Sequence, residues 1–151
     1  MELTFAEKKD YKAVNRMYCN LSDMHHEWHP HHYLKTNGLY IPKSRYTLEL
    51  ENGWNTYIIA KEGRRNIGFC DVRFGFSSVS IAGIYVEPKY RGQGVATQMI
   101  EQAKEVARKK GFTSLSLHVC DQNDGAAKLY SKLGFRTTRV FAVDSKMETD
   151  L

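Results

Sequence analysis

The sequence predicts an α+β fold, a mixed and mostly antiparallel central sheet flanked by helices. Two observations carry that prediction. Between Trp54 and Val86, three runs rich in strand formers follow one another across turns too short for a crossover, so neighbours there should pair antiparallel. After Pro88 the rhythm changes to helix, strand, helix, strand. A long helix then joins the runs 79–86 and 115–120, which should make those two strands parallel neighbours.

Leu3-Thr4-Phe5 reads as a short first strand. Asp10 to Glu27 reads as a helix, with Tyr11, Val14, Met17, Tyr18 and Leu21 at helical spacing and Asp10 as its cap. Pro30 interrupts the histidine-rich stretch that follows. Ser44 to Asn52 reads as a second helix, capped by Ser44 and closed by Gly53, although Tyr46, Leu48 and Leu50 also alternate as a strand would. Trp54–Lys61, Ile67–Phe74 and Val79–Val86 are the three strands of the middle, and Pro88 ends the last of them. Ala96, Met99, Ile100, Ala103, Val106 and Ala107 form one apolar helical stripe; Arg108, Lys109 and Lys110 complement its dipole and Gly111 caps it. Leu115–Cys120 is a strand with Leu115, Leu117 and Val119 on one face. Ala126, Leu129, Tyr130 and Leu133 repeat the helical stripe between a cap at Asn123 or Asp124 and a stop at Gly134, and Phe135–Val143 reads as the final strand.

A length of 151 residues suits a single domain over residues 1–151, and 42% hydrophobic residues suffice for one core. The mean hydropathy of −0.52 and the lack of a long apolar run exclude a transmembrane helix. Met1-Glu2-Leu3-Thr4-Phe5 has no basic-then-apolar leader, so a soluble, cytoplasmic chain without a membrane partner is expected. The formal charge of +5 suits solubility as well as a phosphate-bearing ligand. Arg64, Arg65, Lys89, Arg91, Arg108, Lys109 and Lys110 are scattered over turns and helix ends, without a stripe of interleaved aromatics, which argues against nucleic acid. Cys19, Cys70 and Cys120 form no C-x-x-C pair, so neither a disulfide framework nor a zinc knuckle is expected.

The most informative segment is Val86-Glu87-Pro88-Lys89-Tyr90-Arg91-Gly92-Gln93-Gly94-Val95-Ala96, between a strand and a helix. The first N–H groups of a helix lack partners within it, and two glycines allow close approach of a ligand. With Arg91 these make an anion cradle, or else merely a tight turn. A P-loop is ruled out because no Gly-Lys-Ser/Thr follows, and a dinucleotide fingerprint because Thr97 replaces its third glycine or alanine.

Arg91-Gly92-Gln93-Gly94-Val95-Ala96 resembles the Q/R-x-x-G-x-G/A signature of the GNAT superfamily of acyl-CoA-dependent N-acetyltransferases. The Val86-x-Pro88 strand end resembles that family too, as does Asn123-x-x-Ala126-x-x-Leu129-Tyr130-x-x-x-Gly134-Phe135. The order of elements is similar over nearly the whole chain, with residues 20–53 matching loosely.

The resemblance implies a GNAT-like sheet whose parallel pair, 79–86 and 115–120, splays apart. It implies acetyl-CoA as co-substrate, with no metal. Amides from Arg91, Gly92, Gln93, Gly94, Val95, Ala96 and Thr97 would hold the diphosphate, and backbone around Ile84, Tyr85 and Val86 would pair with the pantetheine arm. Asn123 and Tyr130 would meet the arm and the sulfur. A phenol at Tyr130 could protonate a departing thiolate; on periodicity alone Tyr130 is equally a core residue. Many relatives place a glutamate where this chain has Ala82, so that base does not carry over. Glu87, His118 and Asp121 remain as candidates, beside solvent.

His25, His26, His29, His31 and His32 crowd one short stretch. The i, i+4 pair His25 and His29 has metal-ligand spacing, but Pro30 ends the helix and no H-E-x-x-H forms. The resemblance places this region beside the acceptor groove, so Trp28, His29 and Tyr33 are the expected acceptor contacts. The function implied is acetyl transfer to a primary amine, on a small molecule or a protein, by direct attack in a ternary complex. No Cys-His arrangement supports a covalent intermediate. The competing reading is a non-catalytic CoA-binding sensor of the same fold, which Ala82 keeps open. Phe135–Val143 is an edge with which a second copy could form a homodimer.

Overall fold

The computed structural model describes residues 1–151, and one seven-stranded sheet organises them. The strands are β1 (Glu2–Phe5), β2 (Asn55–Glu62), β3 (Arg65–Phe74), β4 (Val79–Val86), β5 (Ser114–Cys120), β6 (Arg136–Val140) and β7 (Asp144–Asp150). They lie in the order β1-β2-β3-β4-β5-β7-β6, antiparallel throughout except for the β4–β5 pair. Four helices complete the fold: α1 (Tyr11–Trp28), α2 (Lys43–Asn52), α3 (Val95–Lys109) and α4 (Asp124–Lys132).

Strand alternation sorts the core into two layers. In β2, Ile58 and Ala60 join a cluster with Met99, Ile100, Ala103 and Ala107 of α3, whereas Tyr57 and Ile59 join one with Val14, Met17, Tyr18 and Leu21 of α1. Helices α1 and α2 thus cover one face and α3 and α4 the other. The crossover through α3 makes β4 and β5 parallel, as the long connection requires.

That parallel pair is short. Only Ser80↔Ser116 and Ile81↔Leu117 are in register, after which the strands part. On its other side β4 pairs with β3 through Asp71↔Gly83 and Val72↔Ile81, which leaves Ala82 as a bulge. A bulge bends and twists its strand, and the bend falls where β4 leaves β5. Beneath it lies buried Asp71, which accepts hydrogen bonds from Tyr18 Oη and from Asn55 Nδ2 (2.9 Å) and pairs with Arg73 (3.0 Å). Burial holds the Asp71 carboxyl above its usual range even with Arg73 beside it.

Three local features differ from the sequence reading. Asp10 stands at the N-cap of α1 but its side chain makes no cap bond there; its carboxylate accepts from the Glu7 N–H (2.8 Å) in a 3₁₀ turn. Pro42, with its ring-set φ of −61°, precedes α2, so that helix starts at Lys43 and Ser44 lies inside it. The expected last strand, 135–143, is instead a hairpin in which β7 slots between β5 and β6. The string Asp144-Ser145-Lys146-Met147-Glu148-Thr149-Asp150 has weak strand propensity. Pairing on both sides and burial of Met147 and Thr149 make it a strand all the same. The edge is therefore β6, exposed along its whole length and guarded by Arg136 and Arg139.

Candidate active site

Two cavities open along the parted strands, one mainly on the α3–α4 side but reaching Met24 and Trp28 of α1, the other on the α1 side. The larger, about 670 Å³, lies between β4, the turn after it, α3 and α4. Ile84, Tyr85 and Val86 form one wall; Arg91, Gly92, Gly94, Val95, Ala96 and Thr97 form the next; Asn123 and Tyr130 close it from α4.

The glycine turn is shaped by its backbone. Gly92 and Gly94 have φ of +75° and +81°, the left-handed region in which a side chain is strained. A Cβ on either would meet nothing within 4 Å, so conformation, and not crowding, calls for glycine. Gly94 precedes α3 with no side-chain cap, and the first helical bond is from Gln98 N–H to the Gly94 carbonyl. The N–H groups from Gly92 to Thr97 donate to no protein acceptor. A row of free donors at a helix N-terminus, with the dipole behind it, suits a diphosphate. The residues present therefore fit a diphosphate-bearing ligand.

Side chains around the turn hold it in place. Arg91 Nε donates to the Val86 carbonyl (2.8 Å), and its guanidinium lies 5.4 Å over the Tyr85 ring. Gln93 turns away, with Nε2 donating to the Lys89 carbonyl (3.2 Å), and does not line the cavity. Asn123 caps α4 by accepting from the Ala126 N–H (3.2 Å). Tyr130 is buried, and its hydroxyl has no protein partner in the cavity wall. Burial, helped by Cys70, drives its pKa well above the ordinary tyrosine value. It is thus held as a neutral phenol, able to donate a hydrogen bond to an atom in the cavity.

The smaller cavity, about 220 Å³, lies on the α1 side of the same opening. Tyr18, Leu21, Ser22 and His25 of α1 face Ala82 at the bulge, His118 and Cys120 of β5, and Asp144 of β7. Tyr33 and Tyr40 come from the α1–α2 connection. His118 Nδ1 is 3.2 Å from Asp144 Oδ2.

The expected acceptor residues are dispersed. Tyr33 lines the smaller cavity, while Trp28 lines the larger one with Met24. His29 lines neither; its Nε2 meets Asp121 Oδ1 at 2.5 Å. Glu87 also lines neither cavity and is paired with Arg16 of α1. His29 and His25 do not converge as metal ligands. The one group whose ligand atoms lie within 4.8 Å of one another is His29, Cys120 and Asp121. Of the histidine cluster, His25 is the one that lines the smaller cavity; sequence reasoning missed Tyr18, Tyr40 and Asp144 there.

Comparison with known proteins agrees with this fold. A family model described as "Acetyltransferase (GNAT) family" matches residues 16–135. Thialysine N-epsilon-acetyltransferase of Bos taurus is 44% identical over 57 residues, 38% of this chain and 34% of that protein; the chain thus spans about a third of the length of the curated relative it matches. The solved structure of a PaiA N-acetyltransferase from Thermoplasma acidophilum, in complex with coenzyme A, superposes over 100% of both chains at a TM-score of 0.78 with 17% identity. A ribosomal-protein-alanine N-acetyltransferase from Brucella melitensis does so over 100% of both chains at 0.78 with 18% identity. At such identities the likeness is one of fold.

Proposed function

The chain belongs to the GNAT acetyltransferase family, and we propose that it moves an acetyl group from acetyl-CoA to a primary amine by direct attack in a ternary complex. The observation that carries the reading is the run of unpartnered N–H groups from Gly92 to Thr97, set beside a β4 edge that has left its neighbour. Coenzyme A is bound in the Thermoplasma structure, whose fold matches along its whole length.

Acetyl-CoA supplies the acyl group already activated as a thioester. The amides of the glycine turn would hold its diphosphate, and the free backbone of Ile84 to Val86 would pair with the pantetheine arm as an added strand. An N–H on that edge would also polarise the thioester carbonyl. Tyr130 Oη would donate its proton to the departing sulfur. On the other face, the amine would enter the smaller cavity and give up its proton to His118, whose ring Asp144 orients. Glu87, held by Arg16, would brace the end of β4 against α1.

The test is release of free thiol from acetyl-CoA with a panel of amines, run beside calorimetry with acetyl-CoA. Tyr130→Phe should lower kcat by about 10²-fold with little change in acetyl-CoA affinity. Binding without turnover across the panel would favour the sensor reading, and no heat with acetyl-CoA would overturn both.

A further inference from the structure

The smaller cavity has a distinct chemistry. Its walls present Tyr18, Tyr33 and Tyr40, two histidines and one carboxylate, Asp144. No lysine or arginine lines it. The guanidinium of Arg73, under the same strands, is spent on Asp71 (3.0 Å) and Glu49 (3.1 Å). The only formal charge facing the cavity at neutral pH is therefore negative, in a chain whose net charge is +5.

The aromatic walls are ordered. Tyr18 and Tyr40 stack at 4.3 Å, and His25 packs 5.1 Å from Tyr33. Tyr18 cannot swing away, since its hydroxyl is tied to buried Asp71. Aromatic faces beside a single carboxylate are a setting for an organic cation. The same setting repels a carboxylate or phosphate, which would meet Asp144 with no cation to neutralise it. A volume of about 220 Å³ corresponds to about seven waters, so the cavity holds a short chain.

We propose that this cavity takes a short amine carrying no carboxylate or phosphate of its own, a diamine above all, whose remote ammonium lies between Asp144 and the tyrosine faces. The proposal rests on the acyl-transfer reading in one respect, that this side of the opening receives the acceptor.

The experiment compares 1,5-diaminopentane with lysine, which has the same chain plus a carboxylate. Each is titrated calorimetrically into the full chain saturated with CoA, and each is assayed for turnover with acetyl-CoA. The diamine should bind at least about tenfold more tightly than lysine, and Asp144→Asn should remove most of that advantage while leaving acetyl-CoA affinity unchanged. Tyr40→Leu, at a half-exposed position, should weaken the diamine several-fold and serves as the second variant if Asp144→Asn does not fold. Lysine binding as tightly as the diamine, a preference that survives in Asp144→Asn, or no diamine binding at all would each overturn the proposal. Titration of acetyl-CoA alone into the CoA-free chain separates the two readings. Heat there without heat from the diamine sinks only the acceptor assignment, whereas silence in both sinks the acyl-transfer reading as well.

Discussion

The two cavities share one opening but are made of different material. The donor groups of the larger come from main chain, a glycine turn, the first turn of α3 and an unpaired stretch of β4, with Met24, Trp28, Leu129 and Tyr130 completing its walls. The smaller is built from side chains, carried by α1, the α1–α2 connection, β4, β5 and β7. Main-chain donors read a diphosphate whatever the neighbouring side chains are, so a donor site of this kind can stay constant while acceptors vary. Side-chain walls change with each substitution, which is where selectivity is adjustable. If this contrast holds, backbone changes at the turn should damage donor binding alone, and side-chain changes across the sheet should damage acceptor binding alone.

The largest effect on binding should come from Gly94→Val. At φ +81° a β-branched residue costs about 1–2 kcal/mol if the turn keeps its shape, and the turn is more easily lost than kept. Acetyl-CoA affinity should fall about tenfold or more by calorimetry. Gly63→Val is the control. It sits at φ +60° in the β2–β3 turn, again with nothing within 4 Å of an added Cβ, so it carries a similar backbone cost. It should lower the melting temperature yet leave acetyl-CoA affinity intact. Equal losses of affinity in both variants would mean that the turn matters for stability and not for donor binding.

The same contrast explains what was legible beforehand. Gly92 and Gly94 could be read because they are close in sequence and lie between a strand and a helix with clear periodicity, and consecutive backbone needs no tertiary information. The α3 stripe and the Asn123 cap were legible for the same local reason. The acceptor side was not. Tyr18 looks like any core position of an amphipathic helix, Tyr40 lies in an irregular connection, and Asp144 opens a charged strand with little intrinsic propensity. Only the order β4-β5-β7 brings Asp144 beside His118. The dispersal of Trp28, His29 and Tyr33 has a similar cause. The backbone leaves the helix at His29, so residues adjacent in sequence point toward different neighbours.

An intermediate effect is expected at Gly83, where β4 passes under α1. A Cβ there would lie 2.7 Å from Tyr18 Cε1 and 2.9 Å from its hydroxyl, with Asp71 holding that ring in place. Gly83→Ala should cost about 1–3 kcal/mol of stability by overpacking. In the folded fraction, a displaced Tyr18 should raise the acceptor KM several-fold, with acetyl-CoA affinity nearly unchanged. A larger effect on acetyl-CoA than on the acceptor would break the division between the two sides.

The smallest expected effect is a pH response confined to the smaller cavity. Burial holds His25 below its ordinary 6.5, and Asp144 pulls it back in part. As pH falls through 6.5 the unfolded chain takes up this proton before the folded one, so the contribution of His25 to stability is complete above that pH and is lost below it. The same protonation puts a positive charge among Tyr18, Tyr33, Tyr40, His118 and Asp144, where an ammonium is proposed to sit. Between about pH 7.5 and 5.5 the acceptor Kd should therefore rise several-fold, while acetyl-CoA affinity stays flat, since no histidine lines the larger cavity. His25→Gln should therefore flatten the slope. A profile unchanged by His25→Gln would show that His25 is not the source of the acid sensitivity, and a parallel loss of acetyl-CoA affinity would show that the two cavities respond as one.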